Sequence, residues 1–224
     1  THNFARLSPT DLGRMNGAWW GWDNRSWSTK WTNISNCNIF FERVDNVGFT
    51  DETEKTKLVG QVRFIRAFEY WDLIARWGAM PIITKSFSIN DREEIVGQKR
   101  NTYKECIDFL VRELDQAAKE LPANWSGDDY GRATSVAALA LKSRILLYAA
   151  SPLMNEDVKI PEVGYTTPEP DRWQKAAKAA TEALDAAQAA GYELYNLDGD
   201  PSKNYQMIFM DNTAANKETL FARM

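Results

Sequence analysis

Four long segments of the chain carry apolar residues at every third or fourth position, and this pattern predicts four helices, over about 52–77, 101–121, 133–151 and 172–190. The first segment is apolar around most of its circumference, which is typical of a helix packed among others, whereas the second has one apolar stripe. A shorter upstream segment, 31–44, has the same spacing. The pattern therefore predicts a helical protein.

The expected helix ends agree with this division of the chain. Asp51 stands where an N-cap is needed, and Thr102 with Glu105 has the spacing of a capping box. Asp171 is a second N-cap candidate, and Gly191 follows the last predicted helix as a glycine C-terminal cap. These residues set the predicted boundaries.

An inner, largely apolar helix alternates twice with an amphipathic outer helix, in the pairs 52–77/101–121 and 133–151/172–190. This alternation predicts a mainly all-α fold, a tetratricopeptide-like superhelix of helical hairpins with irregular, loop-rich insertions. Glycine and alanine stand where the helices of a pair must cross. The segment 80–84 is expected to add a short strand, and the face of 172–190 that includes Trp173 and Leu184 is expected to be buried.

Composition excludes several classes of function. The 224 residues carry a net charge of −4 and form no basic stripe, which argues against binding to nucleic acid. Apolar runs are short, so no segment is expected to span a membrane. One histidine, His2, and two distant cysteines, Cys37 and Cys106, make a zinc site or a histidine-dependent nucleophile very improbable. We therefore predict no metal, no cofactor and no catalysis, and expect both cysteines to be buried.

Four ordered segments resemble one known family, the SusD/RagB-like proteins. They are residues 27–44, "WSTKWTNISNCNIFFERV"; residues 60–84, "GQVRFIRAFEYWDLIARWGAMPIIT"; residues 131–152, "GRATSVAALALKSRILLYAASP"; and residues 171–184, "DRWQKAAKAATEAL". In that family an arginine- and aromatic-rich helix ends in a Gly-x-x-Pro turn, and a Gly-Arg-Ala-Thr start precedes an alanine- and leucine-rich helix. The resemblance covers most of residues 27–195.

The resemblance implies a surface-exposed, lipid-anchored protein of the outer membrane, without enzymatic activity. Such proteins capture oligosaccharides and pass them to a TonB-dependent outer-membrane transporter. The resemblance also implies that residues 1–224 are the N-terminal and central part of one SusD-like domain, with its C-terminal part and lipid anchor outside this chain.

Five of the nine tryptophans lie within residues 19–31. In the resembled family, the loop before the first helix contributes aromatic and amide groups to the sugar site. Indole rings stack on the C–H faces of sugars, and polar neighbours bind the hydroxyl groups. Trp27 and Trp31, at the helix start, are expected in the core. The predicted ligand-binding residues are Trp19, Trp20, Trp22, Asp23, Asn24 and Arg25.

Two further features have predicted structural roles. Arg63 and Arg66 are expected to form ion pairs on their own helix with Glu69 and Asp72, and not to bind a phosphate or carboxylate ligand. For Trp125, the sequence does not distinguish between packing on the repeat and facing solvent at a partner surface.

Two alternatives to glycan uptake are also consistent with the sequence. One is a helical-repeat scaffold that binds only other proteins, since helical repeats commonly do so. The other is peptide uptake, which some members of the resembled family perform.

Overall fold

The computed structural model describes residues 20–156, 158–196, 199–211, 213 and 216–222, with side chains from residue 27 onward. The regular structure in these ranges is helical, which confirms the mainly all-α prediction. The α-helices of the described chain are α1 (Trp20–Arg43), α2 (Glu52–Trp77), α3 (Arg92–Gly97), α4 (Tyr103–Glu120), α5 (Ser135–Ala150), α6 (Pro152–Asn155), α7 (Asp171–Ala189) and α8 (Pro201–Met207).

The five long helices pack in succession: α1 against α2, α2 against α4, α4 against α5, and α5 against α7. The pairs α2/α4 and α5/α7 are the two predicted hairpins, and α2 also touches α5. Burying one large aliphatic side chain contributes roughly 1.5–3 kcal/mol, so this layer of apolar contacts holds the repeat together. Its fully buried members include Phe64, Tyr70, Leu73, Leu110, Leu114 and Ile145.

Side-chain caps fix two of the predicted helix starts. The Asp51 carboxylate accepts from the Thr53 N–H at 2.7 Å. Thr102 and Glu105 form the predicted capping box, in which the Glu105 carboxylate accepts from the Thr102 N–H at 2.7 Å. The prediction for Asp171 is wrong: it is the first residue of α7, and the residue in the cap position, Pro170, offers no side-chain acceptor.

Gly60 lies where α2 passes close to the C-terminal end of α4. A Cβ atom at this position would lie 2.8 Å from the Glu120 Cβ and 3.0 Å from the Leu121 Cγ. The absent side chain therefore sets the distance between the two helices, as the glycine and alanine content of the predicted crossings indicated.

The helix α1 begins earlier than the sequence pattern predicted. It starts at Trp20 and not at Trp31, so the expected loop before the helix is helical from Trp20 onward. One glycine inside a helix costs about 1 kcal/mol, and Gly21 does not prevent this extension. Trp27 and Trp31 are four residues apart and their rings meet at 5.9 Å, a contact that helical spacing favours.

The helix α7 buries a different face from the predicted one. Ala176, Ala179 and Ala183 are buried, whereas Trp173 and Leu184 are 48% and 57% exposed. Small residues allow α7 to lie close against α5, and this close approach leaves the larger residues outside. The predicted glycine cap at the C-terminal end of α7 is confirmed. Gly191 has φ 81°, its N–H donates to Gln188 O, and the Tyr192 N–H donates to Ala187 O.

The segment 80–84 has no regular secondary structure, so the predicted strand is wrong. Side chains take the place of a partner strand. The Tyr70 hydroxyl accepts from the Ile83 N–H at 2.8 Å, and the Asn38 amide donates to Ile83 O at 3.0 Å. The Asn101 side chain accepts from the Ile82 N–H at 2.9 Å. These bonds satisfy the backbone locally, so no second strand is needed.

Candidate functional site

Five of the six predicted ligand-binding residues, Trp20, Trp22, Asp23, Asn24 and Arg25, lie in the first turns of α1; their side chains, and the whole of Trp19, fall outside the described residues. A helix turns by about 100° per residue, so neighbouring positions separate around its axis. Trp20, Asp23 and Asn24 have the helical register of Trp27. Positions 22 and 25 are three residues apart, so they share one side of the helix. That side differs from the side of Trp27. The five therefore do not form one loop surface.

An aromatic cluster fixes this end of α1. The Trp27 ring lies 5.3 Å from the Trp77 ring, edge to face, and the Trp31 ring lies 5.9 Å from the Tyr70 ring. Both tryptophans are partly buried against the core, which confirms their predicted role. Since Trp77 ends α2, the first turns of α1 lie beside the C-terminal end of α2.

Ion pairs also attach α1 to α2. The Lys30 ammonium lies 2.7 Å from the Glu69 carboxylate and 3.1 Å from that of Asp72. Burial lowers the pKa of Lys30, but hydrogen bonds to Glu69 and Asp72 outweigh it, and the net pKa is raised above the ordinary value. Asp72 also pairs with Arg76, four residues further along the same helix, at 3.0 Å. The register of α1 on α2 is thereby held by charge as well as by aromatic packing.

Arg63 and Arg66 are structural, although not with the predicted partners. Arg66 donates two hydrogen bonds to Glu113, at 2.6 and 2.9 Å, and one to Asn38 at 2.9 Å. Arg63 donates to both carboxylate oxygens of Glu120, at 2.9 and 3.1 Å. These acceptors belong to α4 and α1, so the arginines join helices and leave little capacity for a ligand anion.

A charged groove lies between α4, α5 and α7 and encloses about 310 Å³. Lys142 sits between Asp115, at 2.7 Å, and Glu182, at 3.4 Å. Arg172 pairs with Glu169 at 3.0 Å and covers the ring of Tyr165, 3.5 Å from its centroid. The buried cations of this groove already have carboxylate partners, so the groove stabilises the helix packing and has no free buried charge for a ligand.

The cysteines take no part in a reactive site. Cys37 and Cys106 are buried and not disulfide-bonded, as expected. Burial raises the pKa of each thiol to about 11, which keeps both protonated at neutral pH. The described residues contain no group of three or more histidine, cysteine, aspartate or glutamate side chains that could hold a metal ion.

Among the described residues, none of the helices combines the length and the apolar character needed to cross a bilayer.

A second groove, which the sequence did not predict, lies at the other end of the helical repeat, between the α4–α5 loop, the C-terminal end of α7 and residues 216–220. Trp125, Tyr130 and Tyr192 line it. Their separation along the sequence gives no periodic pattern, so only the fold brings them together. We call it the aromatic groove.

Residues 16–147 match the sequence model of a protein family, SusD-like, described as starch-binding and associating with the outer membrane. A curated relative, SusD-like protein P25 of Formosa agariphila, is 28% identical over 120 residues, which cover 54% of this chain and 22% of that protein.

Solved structures show the same fold. A SusD-like protein of Bacteroides fragilis is 30% identical, with a TM-score of 0.67 over 89% of this chain and 33% of the other. A laminarin-binding SusD-like protein is 18% identical, with a TM-score of 0.64 over 88% of this chain and 36% of the other. The chain therefore spans between about a fifth and a little over a third of the length of these relatives. The family match covers more than half of the chain, and the chain belongs to the SusD-like family.

Proposed function

We propose that this chain is part of a glycan-binding protein of the outer-membrane surface, which captures oligosaccharides for uptake. The observation that carries the proposal is the family match over residues 16–147, which includes the tryptophan-rich start of α1 as well as the first helical pair. One protein of the same fold binds laminarin. Proteins of this kind work by capture and not by catalysis.

The first turns of α1 are the proposed glycan site. The contact of Trp27 with Trp77 and the ion pair of Lys30 with Glu69 support it, because they attach α1 to α2 directly after these residues. Such an attachment reduces the entropy lost when a ligand binds.

The helical register refines the proposal. Trp22 and Arg25 can act together, one ring stacking on a sugar and one guanidinium binding its hydroxyl groups. Trp20, Asp23 and Asn24 share the register of Trp27, which packs on α2. We infer that Trp22 and Arg25 contribute more to glycan binding than Trp20, Asp23 and Asn24. Trp19, which precedes both groups in the sequence, also belongs to the proposed site.

The proposal includes a partner and a location. The captured glycan passes to a TonB-dependent transporter, and a lipid anchor holds the protein at the cell surface. Both follow from the family and not from any contact among the described residues.

Titration of the full-length protein with laminari- and malto-oligosaccharides tests the proposal. We expect saturable binding of at least one of these glycans. A folded protein, verified by circular dichroism, that binds neither these oligosaccharides nor any other glycan of a wider panel would contradict it.

One observation favours a second candidate, a scaffold that binds only proteins. The exposed face of α7 includes Trp173 and Leu184, and exposed tryptophan is enriched where proteins meet. Under this candidate, Trp173→Ala weakens association with a protein partner while no glycan binds. Glycan binding by the wild-type protein would decide against it.

A further inference from the structure

The aromatic groove has a preorganised wall. The Trp125 indole N–H donates to Ala133 O at 2.7 Å, and the Tyr130 hydroxyl donates to Asn216 O at 3.0 Å. Tyr192 follows the Gly191 cap of α7, whose φ of 81° directs the chain away from the helix. The Tyr192 hydroxyl donates to Ala123 O at 3.4 Å, so each of the three rings is held by a hydrogen bond to a backbone carbonyl.

These rings differ from the aromatic residues of the core. The core aromatics pair edge to face, whereas Trp125, Tyr130 and Tyr192 make no ring–ring contact within the described part of the chain. All three are only partly buried, and they line a groove of about 270 Å³. This volume is slightly below the roughly 300–1,000 Å³ of pockets for drug-sized ligands, so it suits a short ligand.

Polar groups on the rim have unused hydrogen-bonding capacity. The Asn124 amide N–H donates to Ala190 O at 3.2 Å, which leaves its carbonyl oxygen available as an acceptor. Arg132 uses its Nε for Asp129 at 2.8 Å, and its terminal nitrogens remain available. Lys217 pairs with Glu193 at 2.6 Å. Because both cations of the groove have carboxylate partners, the chemistry favours a neutral ligand with many hydroxyl groups.

The groove is well separated from the start of α1. The Lys57 ammonium lies 5.9 Å from the Trp125 ring centroid, near the N-terminal end of α2, whereas Trp27 contacts Trp77 at the other end. Twenty helical residues separate Lys57 from Trp77, a distance of about 30 Å. A trisaccharide bound at one place therefore cannot reach the other.

We propose that the aromatic groove is a second, independent binding site for a neutral oligosaccharide, with Trp125, Tyr130 and Tyr192 as stacking surfaces and Asn124 and Arg132 as hydroxyl partners. The inference rests on the proposed function, since it assumes that glycans are the ligands of this protein. It adds a site that the sequence pattern did not predict. Two sites far apart on one repeat would let the protein hold a long glycan at two points.

The test is calorimetric titration of the full-length protein with laminaritriose and maltotriose. Wild-type protein is expected to bind two equivalents of the trisaccharide that it recognises. Tyr192→Ala is expected to bind one equivalent, because the stacking ring is gone, while Tyr192→Phe keeps two. Tyr205→Ala is the matched control: its ring is 72% exposed, lies outside the groove, and its removal should leave both equivalents.

A second variant, Arg132→Ala, tests the same site independently if Tyr192→Ala fails to fold. Arg132→Ala changes a side chain that is 49% exposed and should weaken binding of the second equivalent at least fivefold. One equivalent in the wild type, or two equivalents with unchanged affinities in both Tyr192→Ala and Arg132→Ala, would overturn the second site while leaving the proposed function standing. No binding of any glycan by folded wild-type protein would overturn the proposed function and this inference together.

Discussion

Arg66 places a guanidinium group within the helical layer, where only 7% of its side chain is exposed. Its charge is tolerated because Glu113 and Asn38 accept its hydrogen bonds and because the Phe41 ring lies 4.2 Å from the guanidinium carbon. Burying such a charge without partners is costly. The residue therefore ties α2 to α4 and α1 at once.

Removing the negative charge of Glu113 should reveal this cost. We expect Glu113→Gln to lower the free energy of unfolding by about 3 kcal/mol, because it leaves Arg66 buried without a counter-charge. Asp108→Asn is the matched control: its pair with Lys104 is largely exposed, and the loss should stay below about 1 kcal/mol. Urea denaturation measures both. Equal losses in the two variants would contradict the role given to Arg66.

The buried thiols predict a pH dependence of stability. Burial raises the pKa of Cys37 and Cys106 from 9.0 to about 11, so the unfolded chain releases these protons first as the pH rises. The stabilisation is complete below pH 9 and is lost as the pH approaches 11.

Folded protein should therefore resist iodoacetamide at pH 8, whereas protein in urea should react at both cysteines. Its free energy of unfolding should fall between pH 9 and pH 11. Mass spectrometry measures the alkylation. Rapid labelling of the folded protein at pH 8 would show that the thiols are accessible.

At the scale of elements, the spacing of α2 and α4 depends on Gly60. Alanine favours helices by about 1 kcal/mol over glycine, yet a Cβ here would lie 2.8 Å from the Glu120 Cβ. Because the neighbouring atoms belong to a packed helix end, we expect Gly60→Ala to destabilise the protein by about 1–3 kcal/mol.

Gly97→Ala provides the control for this substitution, because no atom lies within 4 Å of the added Cβ and the change should leave stability the same or slightly higher. Thermal unfolding measures both variants. Stabilisation by Gly60→Ala would mean that the two helices are not in close contact at this point.

The sequence predicted the helices that have both an apolar stripe and a side-chain cap. The ends of α2 and α4 agree with the prediction to within two residues, because Asp51, Thr102 and Glu105 are local signals. The start of α1 was not predictable in the same way. Trp27, near this start, packs against Trp77, and a contact between residues fifty positions apart leaves no local signal in the sequence.

The buried face of α7 and the partners of Arg63 show a second limit. Hydrophobicity alone predicted that Trp173 is buried. Because α7 lies close against α5, its alanines fill the contact and Trp173 stays exposed. Spacing along one helix assigned Glu69 and Asp72 to the arginines, but Glu113 and Glu120 of α4 take those places. Lys30 of α1 binds Glu69 and Asp72 instead. Tertiary packing decides which face of a helix is buried and which residues pair across helices. The periodicity of a single helix carries no information about either.

At the scale of the whole molecule, the two proposed glycan sites lie at opposite ends of the repeat. The start of α1 lies at one end, beside Trp77, and the aromatic groove lies at the other, beside Lys57. The site at the start of α1 stays a prediction from the sequence, whereas the aromatic groove was not predicted, because its residues come from three distant segments. The rigid helices between them set a separation of about 30 Å.

If the start of α1 binds glycan as proposed, replacing the Trp22 ring must weaken that binding, and the dissociation constant of Trp22→Ala measures the effect. With an oligosaccharide bound by the full-length wild type, we expect at least a tenfold weaker affinity at this site, a loss of about 1.4 kcal/mol. Trp173→Ala, which removes an exposed tryptophan from α7, should change the affinity less than twofold. Unchanged affinity in both Trp22→Ala and Arg25→Ala, with the variants folded, would contradict the account.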